Sequence, residues 1–161
     1  MHDSPISILN PQPNRSKPWR LWLFLASPII LLMIGLGYCE YGRRTYLPAA
    51  VSATDLFHLR LARGEDALIY QEADPAFKAR LTEDTEHAFF SRVRRKLGAC
   101  SYTGPAAWSV TTNHWGTQVR LIYQGRCTNG LVREVLIWRV LDGQKAALMG
   151  FSADSSALLT D

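Results

Sequence analysis

The sequence lacks every short motif that announces a familiar chemistry. It has no HExxH or paired His/Cys spacing for zinc, no GxSxG, no phosphate-binding loop and no dinucleotide fingerprint. Its four histidines, His2, His58, His87 and His114, are dispersed, so no metal site is expected and no cofactor is implied. Cysteine is scarce, with three in 161 residues, and none lies in a CxxC, which leaves redox catalysis without support. There is no internal repeat and no low-complexity segment. The net charge is +4, but its basic residues are scattered and form no long run, so nucleic acid is not expected as a partner.

What the sequence does hold is one long oily run. From Leu21 to Tyr38 there are 18 residues without a charge. At helical rise these span roughly 27 Å, close to the hydrocarbon thickness of about 30 Å. Trp19 and Trp22 flank one end, and Tyr38, Tyr41 and Tyr46 the other, as interfacial rings do. A cleaved signal has a shorter apolar stretch with small residues close behind it. Here Glu40, Arg43 and Arg44 follow instead, and the small residues from Ala49 to Ala53 come too late. A lipoprotein signal is opposed by the bulky Tyr38 in Leu36-Gly37-Tyr38-Cys39. An uncleaved single-pass anchor at residues 19–41 is the expectation, with membrane lipids as partners. Arg15, Lys17 and Arg20 before the run, against Arg43 and Arg44 after it, place the N-terminus in the cytoplasm and the C-terminal part outside. The expected location is therefore the inner (cytoplasmic) membrane. Residues 1–18, with four prolines, read as a disordered tail. Residues 42–51 read as a linker, 52–153 as one folded domain and 154–161 as a C-terminal tail.

Within the domain the first half has helical signals. Ser52 with Asp55 suggests a helix start, and TDLFHLRLARG then ends at Gly64. EDALIYQEADPAF opens on two acids and is interrupted by Pro75, after which PAFKARL restarts a turn. TEDTEHAFFSRVRRKLG has acids early, bases late and glycine after its end, with Phe89, Phe90, Val93 and Leu97 on a core-facing stripe. After Gly98 the period becomes two. AWSVTTN, TQVRLIYQGRCT, LVREVLIWRVL and QKAALMGFS read as four strands of an antiparallel meander. Two-residue turns at Asn129-Gly130 and Asp142-Gly143 would set the register. Cys127 would then face Val132, Tyr123 face Leu136, Leu121 face Trp138 and Val119 face Val140, all on an apolar inner side. Ala147, Met149 and Phe151 would extend that side. The outer side would carry Gln118, Arg120, Gln124, Arg126, Arg133 and Arg139 among Ile122, Val135 and Ile137. It would hold two like-charge pairs, Arg126 with Arg133 and Arg120 with Arg139.

The fold class is thus α+β: an N-terminal transmembrane helix, then three short helices on a four-stranded antiparallel curved meander. The order of elements, with ADPAF, VRRKLG, GTQVRLIY, REVLIWRV and DGQKAALMGF, resembles small bacterial extracytoplasmic domains of unknown function. These belong to the cystatin-like and nuclear-transport-factor-2-like (SnoaL-like) superfamily. The resemblance covers Ser52 to Ser152. It implies helices in the concave side of a curved sheet, with a cone-shaped pocket in some members. That superfamily includes enzymes, binding modules and dimerisation domains.

The candidate site residues are few. In an oxidising compartment Cys100 and Cys127 are expected to form a disulfide; the alternative is two reduced, buried thiols. Such a bond would close a loop of about 28 residues and stabilise by roughly 3–4 kcal/mol. Glu134 falls on the inner apolar face near Cys127 and Phe151. There its carboxyl would be desolvated and its pKa raised, as a general base requires. The competing placement is a solvated rim, or a pair with an arginine of SRVRRK. His87 and Tyr102 are the candidates to complete a polar pocket. With no catalytic constellation, the first functional expectation is a non-catalytic interaction domain that binds another envelope protein. A ligand-binding or weakly enzymatic pocket built on Glu134 is the alternative, and self-association through the outer sheet face is a third.

Overall fold

The structure, a computed structural model, describes residues 19–159 other than 115, 142 and 143. The side chains of 19–31, 34–39, 42 and 43 are outside that description. The expected tail (1–18) therefore lies outside the described residues, and of the expected anchor (19–41) the backbone is described but most side chains are not. Among the described residues no helix is long and apolar enough to cross a membrane. The chain forms two compact units, Met1–Tyr38 and Cys39–Asp161. In the first, the backbone from Trp19 onward is helical. The second is an α+β unit.

Helix α1 is Trp19–Arg63. No new helix begins at Ser52, and residues 42–51, read as a linker, belong to α1. Ala50 and Thr54 are fully buried, and Phe57 and Leu61 follow them on one stripe toward the core. Tyr46, Leu47, Ala49 and Val51 pack against the same core, so tertiary burial holds this stretch helical and overrides the local cap signal. Gly64 then ends the helix at φ 73°. Next come α2 (Asp66–Glu72), α3 (Pro75–Lys78) and α4 (Glu83–Leu97). Asp74 caps α3 by accepting from the Ala76 N–H (2.8 Å), with Pro75 at the first helical position. Thr82 caps α4 through the Thr85 N–H (3.3 Å), and Gly98 closes it.

Strands β1 (Cys100–Asn113), β2 (Gly116–Cys127), β3 (Gly130–Leu141) and β4 (Lys145–Asp154) form one antiparallel sheet in sequential order. β1 is twice as long as AWSVTTN suggests, because bulges between Tyr102 and Ala107, around Gly104 and Pro105, break the alternation. The β2–β3 register also differs from the expected one. Cys127 pairs with Gly130, Tyr123 with Glu134, Leu121 with Leu136 and Val119 with Trp138. The turn is centred on Thr128-Asn129 because that turn docks on the end of α4. Asn129 donates its N–H to Leu97 O (3.1 Å) and its side-chain amide to Lys96 O (2.9 Å), and the Thr128 N–H goes to Ala99 O (2.9 Å). These bonds occupy carbonyls that a helix end leaves without partners. The slip is two residues, so both faces keep their side chains. The expected arginine pairs do not form: Arg126 stands opposite Leu131, Arg120 opposite Ile137 and Arg133 opposite Gln124.

In β4, Leu141 pairs with Lys145, one position later than a two-residue turn requires. Ala146 and the buried Leu148 therefore face the core, in place of Ala147 and Met149. A bulge opposite Ile137–Trp138 absorbs Met149 and restores the parity, so Phe151 points inward. The segment after the sheet is not a plain tail: Ser156–Leu159 form a short helical turn, α5. Ser155 initiates it, donating to Leu131 O (2.7 Å) and accepting from the Ala157 N–H (3.3 Å).

The helices lie on the sheet face that carries Val119, Leu121, Tyr123, Val132, Leu136 and Trp138. Phe57 sits at the centre of an aromatic cluster, 5.6 Å from Phe90, 5.0 Å from Phe151 and 6.5 Å from Trp138 between ring centroids. The indole N–H of Trp138 donates to Thr54 Oγ1 (2.8 Å), and the Thr54 hydroxyl donates to Ala50 O (2.9 Å). No polar group of that pair is left unbonded.

Candidate functional site

Glu134 sits at the middle of β3, between Val132 and Leu136 on the inward face, and its side chain is 0% exposed. A carboxylate so placed needs donors. Two aromatic side chains supply them from opposite elements. The Tyr102 hydroxyl, from β1, donates to Oε1 (2.7 Å). His58 Nε2, from α1, lies 2.8 Å from Oε2. A carboxylate only accepts, so Nε2 carries the hydrogen of this bond. The two rings are stacked, with centroids 3.9 Å apart and planes within 3°. Tyr123, the cross-strand neighbour of Glu134, presents its ring edge-on to both, 5.4 Å from His58 and 6.1 Å from Tyr102.

Close approach of backbone and ring makes this possible. Tyr102 pairs with Gly125 on β2, and a Cβ at that glycine would lie 2.4 Å from Tyr102 Cε1. Only the missing side chain lets the phenol lie flat across the strand and reach Glu134. Burial, then the charge and hydrogen bond of Glu134, hold the Tyr102 hydroxyl far above its usual titration range. It is a permanent donor. Burial, with the charge of Asp55 behind it, pushes Tyr123 up to about 12.

Above this floor opens a cavity of about 310 Å³. Leu61, Val93 and Leu97 form apolar walls, Ala62 and Ala99 lie at its margin, and Cys100 closes the β1 side. Cys100 and Cys127 are opposed across β1 and β2 and are joined by a disulfide. Arg94 reaches the cavity from α4 but is already held. It makes two hydrogen bonds to the buried Asp66 carboxylate and a third, at 3.4 Å, to Leu61 O. His87 Nδ1 sits 2.8 Å from the same Asp66, with 65% of its side chain exposed.

The structure thus brings Glu134 and Tyr102 together and puts Cys100 beside them, but it sends His87 elsewhere. The histidine that completes the floor is His58. One signal could have found it: Ala50, Thr54, Phe57, His58 and Leu61 share one helix face, so His58 is a polar group in an apolar stripe. Glu134 is the same anomaly on β3, and two such groups on facing elements need one another. The arginine of SRVRRK that could have met Glu134 at a rim, Arg94, is committed to Asp66. Glu86, one turn before Phe90, is fully buried with neither oxygen hydrogen-bonded. Burial, and then the charges of Asp66 and Glu83, push its carboxyl up to about 8 despite the opposing pull of Arg94. Among the described residues no group of three His, Cys, Asp or Glu side chains is arranged to hold a metal ion. No family model, no curated protein and no solved structure matches this chain.

Proposed function

We propose that the folded unit is a small-molecule-binding module whose ligand is a compact, neutral, mainly apolar compound with one hydrogen-bonding group. One observation carries this: two stacked rings, fixed on a single buried carboxylate, form the polar floor of a mainly apolar cavity of about 310 Å³. That volume is at the lower end of the range for small-molecule sites, about 300–1,000 Å³. It suits roughly one substituted ring. An anionic ligand is disfavoured because the nearest cation, Arg94, is committed to Asp66, and a cationic one because both oxygens of Glu134 are already engaged. Binding, not turnover, is the reading, because Glu134, although it lines the cavity, is 0% exposed and has one oxygen engaged by Tyr102 and the other by His58.

The uncharged run from Leu21 to Tyr38 supports a single-pass anchor that holds the module outside the cytoplasm, and the Cys100–Cys127 disulfide fits an oxidising compartment. Helices on one face of a sequential four-stranded meander are in keeping with the nuclear-transport-factor-2-like and cystatin-like resemblance. The experiment is a titration of the full-length protein, in detergent, with a panel of neutral phenols and medium-chain alcohols, read by thermal shift and calorimetry. At least one class binds, Glu134→Gln weakens it at least about tenfold by removing the charge behind both donors, and Ala62→Trp at the mouth abolishes it. Absence of binding across the panel, or binding indifferent to Ala62→Trp, defeats the proposal.

A second reading draws on the outward sheet face, where exposed Arg120, Arg126 and Arg133 surround half-buried Ile122, Val135 and Ile137. That chemistry fits an acidic segment of another envelope protein. Loss of complex formation on charge reversal at Arg120 and Arg133, with ligand binding intact, would favour it.

A further inference from the structure

The sheet has two edges, and they are not treated alike. β4 begins with Lys145 and ends with Asp154, and the Asp74 N–H donates to Leu148 O (2.9 Å), closing part of its open side. β1 has no charged residue from Cys100 to Asn113. Its first half is guarded in another way, by Gly104, Pro105 and the bulges between Tyr102 and Ala107. From Ala107 onward the strand pairs regularly with β2, with no bulge, proline or charge. Residues 106–109 and 111–112 are exposed, and Trp108 is 37% exposed. Alternate residues of such a strand turn their N–H and C=O groups away from β2, to the open side. An edge of this kind is a template for another strand, and charges are the usual protection against it.

We infer that this edge is a homodimer contact, in which residues 108–112 of β1 pair antiparallel with the same residues of a second copy about a two-fold axis at Val110. The choice of a second copy follows from the sequence of the strand. With Val110 opposite itself, Trp108 meets Thr112 of the other copy, and Ser109 meets Thr111. On the core-side face this gives an aromatic–β-branched pair on either side of a Val–Val pair. On the outer face it gives two Ser–Thr hydroxyl pairs. Each is a favourable cross-strand combination, and no like charges meet anywhere along the contact. The two-fold axis makes the contact self-closing, so it ends at a dimer. The result is one continuous eight-stranded sheet. The paired segment is short, so affinity in free solution is modest. Confinement of both copies to one bilayer raises their effective concentration.

The test uses the full-length chain with Cys39→Ser, so that no other thiol is free. Sedimentation in density-matched detergent at about 100 μM is expected to show a dimer. Val110→Cys is expected to cross-link two copies under mild oxidation, since the axis places that residue beside itself. Ser109→Lys with Thr111→Lys puts lysine opposite lysine twice, on two exposed positions that do not contribute to the core. It is expected to weaken the dimer at least tenfold, while Ser152→Lys with Gln144→Lys near the other edge leaves it unchanged. A chain that stays monomeric at that concentration overturns the inference. So does a dimer that survives the Ser109/Thr111 lysines, or one in which Val110→Cys fails to cross-link, because either places the contact elsewhere.

Discussion

Glu86 should make this protein less stable as the solution becomes alkaline, and Glu86→Gln should remove that loss. The carboxyl is buried with both oxygens unpartnered, and it faces Asp66 on α2 and Glu83 on its own helix. Arg94, the cation that opposes their effect, is shared with Asp66. Its pKa rises from 4.5 to about 8 on folding. The folded state therefore binds the proton more tightly than the unfolded state does. The contribution is complete below pH 4.5 and is lost as pH rises through about 8. Across that window stability should fall by roughly 1.4 kcal/mol per pH unit, to a ceiling of about 5 kcal/mol. Opening of the α2–α4 contact to water would lower the ceiling. The glutamine side chain of the variant is close in size to the protonated acid and likewise unpartnered, so at pH 5 variant and parent should agree within about 1 kcal/mol. At pH 9 the variant should be the more stable by several kcal/mol. Urea unfolding of both proteins, followed by far-ultraviolet circular dichroism from pH 5 to 9, reads this as a difference, so other titrating groups cancel. Parallel stability curves over the whole range would refute the reasoning, for they would mean that Glu86 ionises in the fold without penalty.

Gly125→Ala inserts a methyl 2.4 Å from Tyr102 Cε1 and 2.9 Å from Val132 Cγ1, so it should cost about 1–3 kcal/mol. It should also displace the phenol from Glu134, which ligand titration would report as lost affinity; unaltered stability and affinity would mean that the ring has room to move. Cys100→Ser should lower stability by roughly 3–4 kcal/mol in non-reducing urea unfolding, and reductant should bring the parent to the same midpoint; a parent indifferent to reductant would contradict the disulfide.

The sheet was legible in the sequence to the extent that a period of two can be read without knowing the turn. The Asn129-Gly130 signal misplaces the β2–β3 pairing by two residues, yet Val119, Leu121, Tyr123, Glu134, Leu136 and Trp138 still fall on the covered face. A slip of one would have inverted it, and that is what happens at the start of β4. There the later closing pair and the Met149 bulge exchange Ala147 for Ala146 and Leu148. Non-local contacts decide both cases. Thr128 and Asn129 answer to the end of α4, a partner that no local pattern names. Likewise, α1 continues through residues 42–51 because Ala50 is buried against elements far along the chain. In the site, Glu134 was readable from strand parity, whereas Tyr102 was only a candidate, because it lies before AWSVTTN and beyond bulges that break the alternation. His58 was obscured because a lone histidine has no motif, and its meaning appears only when α1 is laid across β3.

A cavity with apolar walls needs an explanation, because such walls close on one another when they are free to move and so bury their apolar surface. Here each wall is tied by a device other than apolar packing. Arg94 holds α4 to the buried Asp66 of α2 and to the last turn of α1. The Thr128-Asn129 turn clamps the C-terminal end of α4 to the sheet, and Gly98, where a Cβ would fall 2.9 Å from Thr128 Cβ, permits that close seating. The Cys100–Cys127 disulfide fixes the start of β1 to the end of β2, and the floor is fixed by a carboxylate satisfied from both sides. On the other side of α1 the packing is of the opposite kind, with Phe57, Phe90, Trp138 and Phe151 filling the space between helix and sheet. The same helix therefore packs aromatic rings on the side of Trp138 and borders a larger, braced cavity on the side of Glu134. Ion pair, disulfide and turn brace the end that aromatic packing leaves open, and that division of labour is what a preorganised binding site requires.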